Sequence, residues 1–244
     1  MTSVATSEPG WARDEFLGQC LEREVLRLSD LAAAPAAARA AVAGGKRWMI
    51  EAKVPVDRVG ALSALTDQGF HLVDTNVQLT RAARAPEAFD ARCRLARADD
   101  EAAVRDIAGR SFSQSRFHFD PIIPDALADR LKAEWAGNFF SGRRGHWMVV
   151  AEDERGVGGF LQLLRGPDDL LVIDLIAVAP ERRGRALARS MIACAAQSCL
   201  GRPAAMLVGT QIANFGSLAL YGGMGFRVSS AAHVLHLHSQ DRPT

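Results

Sequence analysis

Residues 170–190 read LLVIDLIAVAPERRGRALARS, and no other stretch limits the fold as tightly. The almost uninterrupted apolar run predicts a central strand buried on both faces. Pro180 ends the ladder because it has no N–H to donate. Gly184 permits a tight turn, and an alanine-rich helix starts near Ala186. The first amides of such a helix have no partner within it, and the helix dipole adds partial positive charge there. Arg183, Arg185 and Arg189 deepen that charge. The stretch is an anion site between a buried strand and a helix, and a pyrophosphate is its natural occupant. Neither a G-K-[ST] Walker ending nor a G-x-G-x-x-G dinucleotide fingerprint accompanies it.

The rest of the chain supplies an α/β setting for this turn. Near residues 84–96 the sequence is polar, broken by Pro86, and without a sustained apolar period, which reads as a link between two units. Before it, REVLRL alternates as a half-buried strand does, DLAAAPAAARAAVAG opens on Asp30 as a helix cap and ends at Gly44 and Gly45, and RWMIEAKV is strand-like. VDRVGALSALTDQG is a helix and FHLVDTNVQLT a strand, giving the order β-α-β-α-β. After the link come two helices, DDEAAVRDIAGRSF and PDALADRLKAEWAGNFF, then the strands HWMVVAED and VGGFLQLLR. The apolar strand and its helix follow, then the strand AAMLVGTQ, the short helix FGSLALYGGMG and the final strand FRVSSAAHVLHLH. The expected division is residues 1–90 and 91–244.

Bulk properties exclude several classes. Among 244 residues the formal net charge is +1, so nothing global calls for nucleic acid or an anionic membrane. No apolar run approaches the ~20 residues of a membrane span, and MTSVATSEPGWARDEF lacks the basic start and apolar core of a signal peptide. Cys20, Cys93, Cys194 and Cys199 include no C-x-x-C pair, which fits buried thiols in a reducing compartment. The expectation is a cytoplasmic protein with no metal.

Val178, Pro180, Arg183, Gly184, Ala186 and Ala188 occupy most of the pattern V-x-P-x-x-[RQ]-x-x-G-x-[GA]. GTQIANFGSLALYGGMGF then puts Asn214, Tyr221, Gly225 and Phe226 in order after the next strand. On these residues the chain resembles the GNAT acetyltransferase superfamily over most of residues 96–244. The resemblance implies a mixed central sheet flanked by helices, with residues 1–90 as a shorter, partial GNAT-like half-domain. It implies acetyl-CoA as co-substrate, with the amides from Gly184 to Arg189 around the CoA pyrophosphate. The family usually has glycine at the place of Ala186; an alanine there offers its N–H if it is already helical, but it restricts the turn. Asn214 would hold the pantetheine, cap the following helix, or do both. Backbone groups of Ile176 and Val178 would pair with the pantetheine, their side chains remaining in the core.

Acetyl transfer needs a neutral amine, a held carbonyl oxygen and a proton for the departing thiolate. Tyr221, the only tyrosine of the chain, lies about two helical turns after Asn214 and by resemblance is that acid. The alternative is a tyrosine that only packs the core. Asp174 interrupts an apolar strand, where a carboxylate is costly unless it is paired or faces a cleft. It is read either as the base, direct or through a water, or as a structural partner of an amide or arginine.

The acceptor side is expected in SFSQSRFHFDPIIP, residues 111–124, the region that walls the acceptor site in this superfamily. Arg116 suits a phosphate or carboxylate, Phe117 a base or sugar face, and His118 a proton relay, with Asp120 beside them. The alternative is a rigid connector whose polar groups cap helices. WARDEFLG and GFHLVDTNVQLTR, followed by this segment, also resemble the dTDP-fucosamine acetyltransferase group, which N-acetylates nucleotide-linked amino deoxysugars. That implies a small-molecule amine as partner, with other small amines, amino acids, a protein N-terminus and a non-catalytic acyl-CoA sensor as alternatives. It leaves room for a homodimer.

Overall fold

Strands form where apolar and polar residues alternate, and helices where alanine and leucine recur at helical spacing. A computed structural model describes residues 10–32, 34–44, 47–82, 90–199 and 203–239. Their elements in chain order are β1 (Trp11–Arg13), α1 (Glu15–Leu21), β2 (Glu24–Leu28), α2 (Ala34–Val42), β3 (Trp48–Pro55), α3 (Val59–Asp67) and β4 (His71–Ala82). There follow β5 (Cys93–Leu95), α4 (Glu101–Ser111), α5 (Asp125–Gly137), β6 (Trp147–Asp153), β7 (Gly156–Arg165) and β8 (Leu170–Val178). The chain continues with α6 (Leu187–Ser198), β9 (Ala205–Gln211), α7 (Phe215–Gly223) and β10 (Arg227–His238).

Two units emerge, and they cut the chain differently from a boundary at residue 90. The first gathers residues 1–76, 116–127 and 231–244; the second holds 77–115 and 128–230. The expected link around Pro86 lies largely outside the described residues, as does Gly45.

In the first unit β1 pairs antiparallel with β2, β2 parallel with β3, and β3 antiparallel with β10, from Pro55↔Ala232 to Met49↔His238. The C-terminal half of β10 therefore completes the first unit. Leu26, Ile50, Ala52, Val54, Leu235 and Leu237 from these strands close a core with Ala38, Val42, Leu65 and Phe70. Three short elements escape the apolar periodicity: β1, β5 and α1, which Asp14 caps by accepting the Leu17 amide at 2.8 Å. Asp30 accepts the Ala32 amide at 2.8 Å, so it closes a turn ahead of α2 rather than capping the helix.

In the second unit β5, β6, β7 and β8 pair antiparallel in sequence order, and β8 pairs parallel with β9. Val104, Ile107 and Ala108 of α4 and Ala136 of α5 pack on Met148, Val150, Phe160, Leu175 and Ala177. Leu187, Met191, Ile192 and Ala195 of α6 are buried, and α6 contacts β6, β7 and β8. β8 is not buried on both faces: Leu171, Ile173, Leu175 and Ala177 are buried, while the residues between them are only half-buried. No helix among the described residues is long and apolar enough to cross a membrane.

Candidate active site

The register of β8 opens a cleft. Its pairing with β7 passes from Leu163↔Ile173 to Gln162↔Leu175, so Asp174 is the extra residue of a β-bulge. Its parallel pairing with β9 runs from Leu170↔Ala205 to Ile173↔Val208 and stops there, although β8 continues to Val178 and β9 to Gln211. The Ala179 amide donates to Gly158 O at 2.9 Å, on the β7 side. Amide directions alternate along a strand, so the amides of Ile176 and Val178 face the edge that β9 has left. Both residues are half-buried and border the cleft.

Beyond Val178 the arginine turn is held by its own side chains. A single 3₁₀ turn covers Pro180–Arg182, and Gly184 follows at φ 77°. Arg182 is buried; it donates to Asp153, to Gly156 O at 3.2 Å and to Arg155 O at 3.1 Å. Arg110 of α4 donates to Glu181 at 2.8 and 3.0 Å and holds its carboxyl down at about 2. Arg183 reaches Val178 O and Ser111 O, each at 3.3 Å. Ala186 is not helical; it takes the left-handed conformation, φ 60° and ψ 12°, at the N-cap of α6. Ser190 is the first α6 residue whose amide finds a carbonyl one turn back, on Ala186, so the amides before it point outward.

The cleft measures about 580 Å³ and includes Ile176, Val178, Arg183, Gly184, Ala186, Ala188, Arg189 and Asn214 in its wall. Every expected CoA-binding residue except Arg185 is there; Arg185 lies instead 3.5 Å from Asp153. Arg182, Leu187, Gly216, Ser217 and Leu220 line it as well. Asn214 caps α7, its Oδ1 accepting the Ser217 amide at 3.1 Å, and Arg189 ties α6 to α7 through Gly223 O at 3.2 Å. Tyr221 is 2% exposed and packs its ring 5.4 Å from that of Phe226. Burial pushes its pKa up, so the phenol stays neutral well above pH 7.

Asp174 is not a free base. Arg144 grips both its oxygens at 2.7 and 2.6 Å, and Trp135 Nε1 and Gln162 Nε2 each donate to Oδ2 at 3.0 Å. The bulge turns this carboxylate toward α5, where it orients Arg144, whose guanidinium lies 4.9 Å from the Trp135 ring.

The expected acceptor residues 116–120 fall in the first unit. Phe117 is fully buried and Asp120 is 1% exposed. Arg116 pairs with buried Glu51 and stacks on Phe117, 4.3 Å from the ring centre. Asp120 receives His236 Nδ1 at 2.6 Å and His238 Nε2 at 2.7 Å. Burial works to raise the Asp120 pKa, but His236, His238 and His71 together overcome it and hold the carboxyl well below the usual range. His118 is half-buried. Arg116, Phe117 and Asp120 thus belong to an internal polar cluster with Glu51, His236 and His238. HVLHLH carried a signal for it: His236 and His238, two apart on a strand, share one face.

Residues 102–226 match the Acetyltransferase (GNAT) family, half of the chain. The chain belongs to this family. It is 31% identical over 139 residues to the spore coat polysaccharide biosynthesis protein SpsD of Bacillus subtilis, a match covering 57% of this chain and 47% of that protein. It is 29% identical over 189 residues to the dTDP-fucosamine acetyltransferase of Escherichia coli, covering 77% of this chain and 80% of that one. Thus it spans about half the length of the first relative and four-fifths of the second. Its fold matches a tandem GNAT protein from the clavulanic acid biosynthesis pathway at a TM-score of 0.59 and 13% identity, over 88% of this chain and 75% of that chain.

Proposed function

We propose that this chain moves the acetyl group of acetyl-CoA to the primary amine of a nucleotide-linked amino deoxysugar. The carrying observation is the unpaired β8 edge past Asp174, which leads into the outward amides of α6 within one cleft. A diphosphate suits those amides together with Arg183 and Arg189, and a pantetheine suits the strand edge, which offers N–H groups at Ile176 and Val178. An amide on that edge polarises the thioester carbonyl as it gains charge. The amine nitrogen bonds to the carbonyl carbon as the carbon–sulfur bond breaks. Tyr221, kept neutral by burial, supplies the proton to the departing thiolate. The amine loses its proton to water, because the Asp174 oxygens are engaged by Arg144, Trp135 and Gln162.

The acceptor class rests on the E. coli relative's name and on the cover of that match. We read residues 1–90, with the segments that complete the first unit, as a partial copy of the GNAT pattern; the tandem relative in fold supports this. The test is free-thiol release from acetyl-CoA by the purified chain with a panel of amines. A dTDP-linked amino deoxysugar should outrun free amino sugars, amino acids and peptides. Equal rates across the panel would refute the acceptor class, and no release with any amine would refute the activity.

A further inference from the structure

Three ligand-type groups of the first unit converge. His71 opens β4, Asp120 lies in the segment before α5, and His238 ends β10. One ligand atom from each lies within 4.8 Å of the other two. His71 Nε2 stands 3.6 Å from Asp120 Oδ1, too long for a hydrogen bond. It is close to the ~3.3 Å edge of a tetrahedron whose corners sit about 2.0 Å from a central ion. That nitrogen is sealed from solvent and makes no hydrogen bond among the described residues. The rest of the His71 side chain is 37% exposed, which gives an ion a way in. The His71 and His238 rings stack 5.5 Å apart at 24°, so both present Nε2 to the same carboxylate.

We propose that His71, Asp120 and His238 bind one divalent transition-metal ion of the zinc type. Two imidazoles and a carboxylate suit zinc and disfavour magnesium or calcium, which take oxygen ligands. Three protein ligands leave a fourth position for water. Asp120 Oδ2 keeps His236 Nδ1 as an outer partner, and His236 in turn faces Glu51 at 3.5 Å.

Arg23 is the internal competitor. It donates Nη1–H to His238 Nδ1 at 3.1 Å, so in the ion-free protein Nε2 carries the ring proton and donates it to Asp120. Capture of the ion takes the proton off Nε2 and puts one on Nδ1, with no net change. Two donors then face each other, and Arg23 must turn aside. It has room to do so: it lines an open pocket of about 510 Å³ bordered by Asp14, Glu15 and Glu22.

The test uses the tag-free, metal-stripped full chain titrated with zinc chloride by calorimetry, with native mass spectrometry for stoichiometry and magnesium as control. One zinc per chain and no heat with magnesium are expected. His71→Gln and His238→Gln should each weaken zinc binding by about 100-fold or more, at or beyond the upper end for loss of an outer partner. Retained acetyl-CoA binding and far-UV circular dichroism would show that these variants fold. Arg23→Gln keeps all three ligands and offers a carbonyl to Nδ1–H, so it should tighten zinc binding, which neither a surface site nor a purely structural histidine cluster would do. A chain that keeps no zinc through gel filtration, affinity undiminished by His71→Gln, or affinity not raised by Arg23→Gln each overturns the site.

Discussion

Ala186 holds a left-handed backbone that glycine adopts without penalty. The strain is of order 1–2 kcal/mol for an alanine, against ~0.4–1 kcal/mol that glycine loses through the freer unfolded chain. Ala186→Gly should therefore raise stability by roughly 0.5–1 kcal/mol in urea unfolding, with acetyl-CoA affinity unchanged; a loss of stability would show that the turn prefers the methyl group. Tyr221→Phe should cut turnover about 10²–10⁴-fold, the range of a lost general acid, and leave acetyl-CoA binding nearly intact. An acid must be protonated to act, and burial raises the phenol pKa. With the wild type, kcat should therefore show no falling limb from this group up to the ordinary phenol pKa of about 10; a fall beginning near pH 8 would remove Tyr221 from the role. The cap at Asn214 and the arginine turn were legible because their partners are close in sequence: Asn214 accepts the Ser217 amide, and the turn amides belong to one helix start. Asp174 stood out as a carboxylate in an apolar strand, but its donors Trp135, Gln162 and Arg144 come from three places in the chain. The internal cluster around Arg116 and Asp120 was hidden for the same reason: the partners Glu51, His236 and His238 lie 65 to 118 residues away.

At the scale of elements, β8 does two jobs. Before Asp174 it is an ordinary inner strand; after it, one edge is open. Apart from the three-residue β5, the order of strands and helices in the second unit could be read from periodicity and turn residues, because each longer element carries its own pattern. The splay could not, since it depends on where pairing with β9 ends, and Leu175 to Val178 look no different from Leu170 to Ile173. Asn214 stands where this edge meets α7, as cap and as cleft wall. Asn214→Ala should lower the stability of the ligand-free protein by about 1 kcal/mol, the usual cost of a lost N-cap. It should also weaken acetyl-CoA binding, whereas Asn214→Asp, which keeps the cap but carries a charge, should restore stability and leave binding weak. Thermal unfolding and calorimetry on the two variants separate these effects; binding restored in parallel with stability would reduce Asn214 to a cap.

At the scale of the whole chain, residues 116–127 and 231–244 belong to the first unit although the sequence delivers them from the second half. A linear reading gives one unit before residue 90 and one after, because it sees only neighbours along the chain. A fragment of residues 91–244 should therefore fail as an independent domain. It keeps Phe117, Ile123, Leu235 and Leu237, all buried in the full protein, but loses Ile50, Ala52, Val54, Leu65 and Phe70 from the unit that shelters them. Burying such side chains is worth roughly 1.5–3 kcal/mol each, and the fragment forfeits most of that on one face. It also strands polar groups: Asp120 and His236 lose His71 and Glu51, and Arg116 loses its carboxylate. The fragment should bind a hydrophobic dye, unfold without a sharp transition and bind acetyl-CoA poorly, although every cleft residue is present. The full chain should unfold cooperatively with bound acetyl-CoA raising its midpoint. A fragment that melted sharply and bound acetyl-CoA like the full chain would mean that the two late segments are passengers of the first unit, and that the boundary near residue 90 is the physical one.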